Sequence, residues 1–194
     1  MLKNGLSKLL KQSILLTLIM IVGCQVISGQ DNFNGGFETK SLFKNEPVSW
    51  FATRLPQTKD FVVFEWDSTE HHSGKYSVSI SINQNHPQDQ VAYNWTRTFE
   101  EFKVGQKYEL SGWIKTKDIK ETAWIVVQFW GENQKWLGMN TNRSLQPVKG
   151  TTDWTLIKYE FTVPVETEEV RIRAGISSPM NNGGKVWFDD IKIE

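Results

Sequence analysis

The sequence predicts an all-β protein, specifically a jelly-roll β-sandwich of two antiparallel sheets. Three observations carry that expectation. Helical periodicity nearly vanishes after residue 24, short segments alternate apolar and polar residues with a period of two, and turn-forming residues separate most of these segments. Hairpin-linked strands with a longer return path then favour two packed sheets with loops gathered at their ends.

The first 23 residues stand outside this fold. Lys3, Lys8 and Lys11 form a basic leader, and the run from Ile14 to Val22 is almost wholly apolar yet shorter than the roughly 20 residues that span a hydrocarbon core. Segment 1–23 reads as an export signal. Ile21-Val22-Gly23-Cys24 resembles the bacterial lipobox, which implies lipidation at Cys24, a tether over 24–32 and a lipid-anchored protein of the bacterial cell envelope. The alternative is an ordinary signal cleaved after Gly29, giving a secreted product. Cys24 is the sole cysteine, so the domain over 33–194 has no disulfide, no cysteine-ligated zinc and no cysteine nucleophile. Removing the leader lysines from 22 basic and 22 acidic residues leaves 19 against 22, which offers no basic surface for nucleic acid.

Strands are expected, in order, at Tyr76–Ile82, Val91–Phe99, Lys107–Lys115, Ala123–Trp130, Thr155–Val163, Val170–Ile176 and Lys185–Ile193. Turns fall at His86-Pro87, Val104-Gly105, Pro147 with Gly150, Pro164, and Pro179 to Gly184. In the fourth strand alternation sends Ala123, Ile125, Val127 and Phe129 to a core face, and Trp124, Val126, Gln128 and Trp130 to the other. Gln90, Asn94 and Thr96 likewise oppose Val91, Tyr93 and Trp95, while Arg171 and Arg173 oppose Val170, Ile172 and Ala174.

Several segments fall in the order of a known pattern. Asn34-Gly35-Gly36-Phe37-Glu38, Trp50, His72-Ser73-Gly74-Lys75-Tyr76-Ser77, Gly105 to Trp113, Trp154, Phe161 to Pro164, and Val186-Trp187-Phe188-Asp189-Asp190-Ile191 together resemble carbohydrate-binding modules of families four, nine and twenty-two. The resemblance covers essentially the whole chain after the tether. It implies a galactose-binding-like jelly roll, a structural calcium (Ca2+) held near Glu38, Asp189, Lys75 and Asn34, and a glycan-binding cleft. Simple alternation sets Asp190 on the opposite strand face from Asp189, although a bulge would exchange them.

Nine tryptophans are many for such a domain, and an aromatic ring is the natural partner for the apolar C–H face of a sugar. Trp50, Trp113, Trp154 and Trp187 occupy positions where the family carries core or edge aromatics. Trp124, Trp130 and Trp136 are the candidate sugar platforms, with Gln128, Asn94 and Arg173 as hydrogen-bonding partners. Glu65, Asp67 and Glu70 read as solvated charges flanking a turn, His71-His72 lacks a third ligand for zinc, and no Gly-x-Ser-x-Gly elbow or phosphate loop occurs. The sequence therefore points to non-catalytic binding of a poly- or oligosaccharide beside separate glycan-degrading enzymes. The rival reading is a structural or protein-interaction lipoprotein on the same fold.

Overall fold

Nine strands build the body of the protein in a computed structural model that describes residues 33–194. They are β1 (Phe51–Ala52), β2 (Val62–Asp67), β3 (Ser77–Ile82), β4 (Ala92–Phe99), β5 (Lys107–Gly131), β6 (Lys135–Thr141), β7 (Val148–Thr162), β8 (Glu169–Ser177) and β9 (Lys185–Ile193). The expected signal segment 1–23, the expected lipidation site Cys24 and the expected tether 24–32 lie outside the described residues.

The strands pair antiparallel throughout, in two sets that share one strand. β2-β3-β9-β5-β7 is the first sheet and β1-β4-β8-β5-β6 the second. The predicted strands Lys107–Lys115 and Ala123–Trp130 are one continuous element. Its first half pairs with β9 and its second with β8, so β5 passes from one sheet to the other. Register shifts against β7 between Ile114 and Ala123, with Asp118 at a φ of 56°, supply the bend at the crossing.

Between the sheets the odd positions of β4 and β5 (Tyr93, Trp95, Ile125, Val127) and the even positions of β8 (Ile172, Ile176) meet Val78, Ile80, Leu110, Ile157 and Phe188 of the first sheet, all fully buried. Trp50 belongs to this core, and its Nε1 donates to the Asn34 carbonyl at 2.9 Å. β1, β2 and β6 are additions to the sequence reading. β2 opens with three apolar residues in a row, which blurs alternation, and β6 carries Gly138 at a φ of 133° opposite a register shift at Phe129/Trp130.

Asp67 corrects the expectation of a solvated charge. It is buried on β2, where its carboxylate accepts from Thr69 N at 2.8 Å and from Trp187 Nε1 at 3.0 Å. Glu70 is not a free surface acid either, since it pairs with Lys115 at 2.9 Å.

Candidate functional site

The second sheet turns one set of side chains to the core and the other set outward, and strand register fixes the outward neighbours. Asn94, Gly175 and Trp124 form one row across β4, β8 and β5. Phe51, Thr96, Arg173, Val126 and Thr141 form the next, then Thr98, Arg171, Gln128 and Met139, and finally Glu169, Trp130 and Trp136. Five of the six residues predicted for sugar contact come from β4, β5 and β8, and β6 brings the sixth, Trp136, beside Trp130.

The three rings are not equivalent. Trp124 is 3% exposed; it lies across β8 where Gly175 has no side chain, and the guanidinium of Arg143 caps it 4.9 Å from the ring centroid. Arg171 lies 4.9 Å from the centroid of Trp130, and Trp136 meets Trp130 edge-on at 5.0 Å. Trp136 itself is 48% exposed. Trp124 is therefore a floor under an arginine, Trp130 a partly covered wall, and Trp136 the open ring. Asn94 is buried and largely occupied: its Oδ1 accepts from Thr53 Oγ1 and Thr96 Oγ1, and its Nδ2 donates to the Ala92 carbonyl.

Arg143 is the residue that the sequence reading missed. It follows Asn142, whose buried amide accepts from Ile125 N at 2.9 Å and donates to the Ala123 and Gln146 carbonyls. That anchoring sets the next side chain over Trp124. No sequence period marks it, because the loop after Thr141 has none.

Four buried polar atoms on this face find no hydrogen-bond partner among the described residues: Trp124 Nε1, Gln128 Oε1, Trp130 Nε1 and Arg173 Nε. Thr167 Oγ1 and Asn182 Oδ1 share that condition elsewhere. Folded proteins seldom leave such groups unpaired, since each costs about 1–3 kcal/mol, so four on one face call for water or a polar ligand there. Burial, aided by Arg171, pushes the Arg173 guanidinium below its usual pKa range. Glu169 is held below the usual carboxylate range, first by its hydrogen bonds from Arg171.

Comparison with known proteins now decides the family, for the family described as "Carbohydrate binding domain", of CBM families 4 and 9, matches residues 32–179. The chain belongs to this carbohydrate-binding family. No curated protein matches it in sequence. The CBM22-1 xylan-binding domain of Xyn10C from Paenibacillus barcinonensis shares its fold with a TM-score of 0.56 and 13% identity, over 82% of this chain and 90% of that one. TmCBM61, solved with β-1,4-galactotriose, gives 0.51 and 17% over 83% and 94% respectively. The enzymatically active domain of bacteriophage CBA120 tailspike protein 4 gives 0.57 and 14% over 82% of this chain, which spans only 20% of that protein. At these identities the likenesses establish the jelly-roll fold.

The carbohydrate-binding domain has a second polar cluster where its N-terminal segment meets β9. Glu38 Oε1 accepts from Lys75 N at 2.9 Å and Tyr76 N at 3.0 Å. Gly74 makes that approach possible, for its φ is 64° and a Cβ there would overlap the Glu38 carboxylate. Asp189, with no exposed surface, accepts from His72 N, Ser73 N and Asp190 N at 2.7–3.1 Å. Asp190 does not point away. β9 carries one extra residue against β5 between Asp189 and Lys192, and Asp190 there has a φ of 48°. Its carboxylate then lies 2.8 Å from His72 Nδ1 and accepts from Ser73 Oγ at 3.0 Å.

Of the four residues expected at calcium, Glu38, Lys75 and Asp189 meet at this clasp. The main-chain carbonyl of Asn34 accepts from Trp50 Nε1 at 2.9 Å and from Phe37 N at 3.1 Å. Calcium needs six to eight hard oxygens. Glu38 Oε2 accepts no hydrogen bond from a described residue, and burial pushes Asp189 up to about 6, so a cation beside them would be welcome. No three His, Cys, Asp or Glu residues gather as ligands among the described residues. A cation here would therefore have to draw most of its oxygens from main-chain carbonyls and water.

Proposed function

We propose that this domain captures a poly- or oligosaccharide on the outer face of β1-β4-β8-β5-β6 without transforming it. The observation that carries the reading is the set of unpartnered buried polar atoms on Trp124, Gln128, Trp130 and Arg173, arrayed beside the open ring of Trp136. A chain of sugar rings running from Trp136 along the rows toward Trp124 would present its hydroxyls to those groups in turn. Glycoside cleavage asks for a carboxyl with a raised pKa to act as acid. Glu169, the acid closest in the rows to Trp130, is instead held ionised by Arg171.

The lipobox resemblance at Cys24 supports placement in a bacterial cell envelope, where a lipid-anchored binder would hold glycan chains for separate degrading enzymes. Incorporation of labelled palmitate into the full chain, lost in Cys24→Ala, tests that anchoring. Calcium at the Glu38–Asp189 clasp would join the N-terminal segment to the last strand, and its role would be stability rather than ligand contact.

The deciding experiment is titration of intrinsic tryptophan fluorescence with xylans, β-glucans, mannans, galactans and host-type glycans. A saturable shift that is lost in Trp130→Ala supports the reading. A flat response from folded protein across the panel refutes it and favours the protein-interaction lipoprotein.

A further inference from the structure

The candidate binding face holds more positive charge than its own acids neutralise. Arg171 is committed to Glu169, with Nε 2.6 Å and Nη2 2.7 Å from its two carboxylate oxygens. Arg173 lies two residues further along β8, about 7 Å away and on the same side of the strand. Its guanidinium forms no hydrogen bond with a described residue, its Nε is buried, and the acid that acts on it, Glu169, is already bound by Arg171. Arg143 is exposed and rests on the Trp124 ring, with Glu121 the acid that acts on it. Beyond it a recess of about 350 Å³ is lined by Lys120, Lys149, Glu121 and Arg143 together with Thr122 and Ser177. From this recess across Trp124 to Arg173 runs a band of four cations, with Glu121 the one acid in the recess. The domain as a whole carries no such excess, so the band is local.

A guanidinium withdrawn from water without a counter-ion is costly, and sugar hydroxyls can accept its hydrogen bonds without cancelling its charge. The planar fork of arginine matches carboxylate and other oxyanions in two-point contact. We propose that the glycan held on this face is acidic, bearing a uronate carboxylate or a sulfate ester that sits against Arg173 and Arg143. This rests on the glycan-binding reading above and names its ligand class.

Matched polymers test it with the full chain: polygalacturonate against its carboxyl-reduced form, and a sulfated galactan against its desulfated form, each by isothermal titration at low and high salt. The expected result is at least tenfold tighter binding of one acidic member, shrinking as salt rises, with the responding pair telling carboxylate from sulfate. Arg173→Gln and Arg143→Gln, checked by thermal melts, should each reduce that preference to under threefold. Equal binding of acidic and neutral partners by wild type overturns the acidic ligand while leaving glycan capture intact. A preference unchanged in both folded variants overturns the assignment to this band, and no binding by any member overturns the acidic ligand, glycan capture then being decided by the wider panel above.

Discussion

Trp136→Ala is the most informative single change on the binding face, because this ring is open and bears little of the core. An indole side chain offers on the order of 250 Å² of surface. At 48% exposure about 120 Å² remains available to a ligand. A pyranose covers one side of the ring, so about half of that area would be buried in the complex. At about 25 cal/mol per Å² this contributes roughly 1.5 kcal/mol, or about a tenfold change in Kd. Affinity gel electrophoresis, with whichever polysaccharide retards the wild type, would show the expected tenfold loss for the variant. Its melting temperature should stay close to wild type, since the ring loses only an edge contact with Trp130. A folded variant retarded as strongly as wild type would refute the stacking role and move the platform to another ring.

Three further outcomes follow from the geometry. Gly175→Ala would place a Cβ against the Tyr93 carbonyl oxygen and 2.9 Å from Trp124 Cη2; a loss of about 1–3 kcal/mol in denaturant unfolding, with weakened glycan binding, is expected. Glu38→Ala frees two exposed main-chain N–H groups to water and should cost about 1 kcal/mol; chelator should lower the melting temperature of wild type and leave that of Glu38→Ala unmoved. Burial pushes Asp189 up to about 6, above the usual aspartate range, so its protonated form favours the folded state at low pH. That contribution, up to about 3 kcal/mol, is lost as pH climbs from about 4 through about 6. Melts in chelator should show this decline in wild type and a flatter profile in Asp189→Asn.

What the sequence made legible follows from where side chains alternate. On Ala123–Phe129 and Val170–Ile176 one face is wholly apolar, so the core side and the outward side could be separated without coordinates. The same rule failed on β2, whose Val62-Val63-Phe64 run hides the period, and on β9, where one extra residue rotates Asp190 back beside Asp189. Cross-strand register was invisible, and with it the fact that Arg173 adjoins Val126 while Gly175 leaves room for Trp124. Arg143 reaches the site from a loop through the buried Asn142, a tertiary contact that no local pattern encodes.

The two polar clusters divide the labour of the fold. The Glu38–Asp189 clasp is built on β9 and the 70–76 turn of the first sheet and on the N-terminal segment, whose Phe33 also packs on Phe99 of β4. The binding face is built on β4, β8, β6 and the second half of β5. Only β5 serves both, and it changes sheets over residues 114–123, where its pairing with β7 is interrupted three times. Loosening the clasp therefore raises the cost of keeping the N-terminal segment and the last strand together without altering which side chains stand beside Trp124 and Trp136. For this reason chelation and loss of Glu38 are expected to move the melting temperature, whereas glycan affinity measured well below it depends on the arginines and rings of the second sheet.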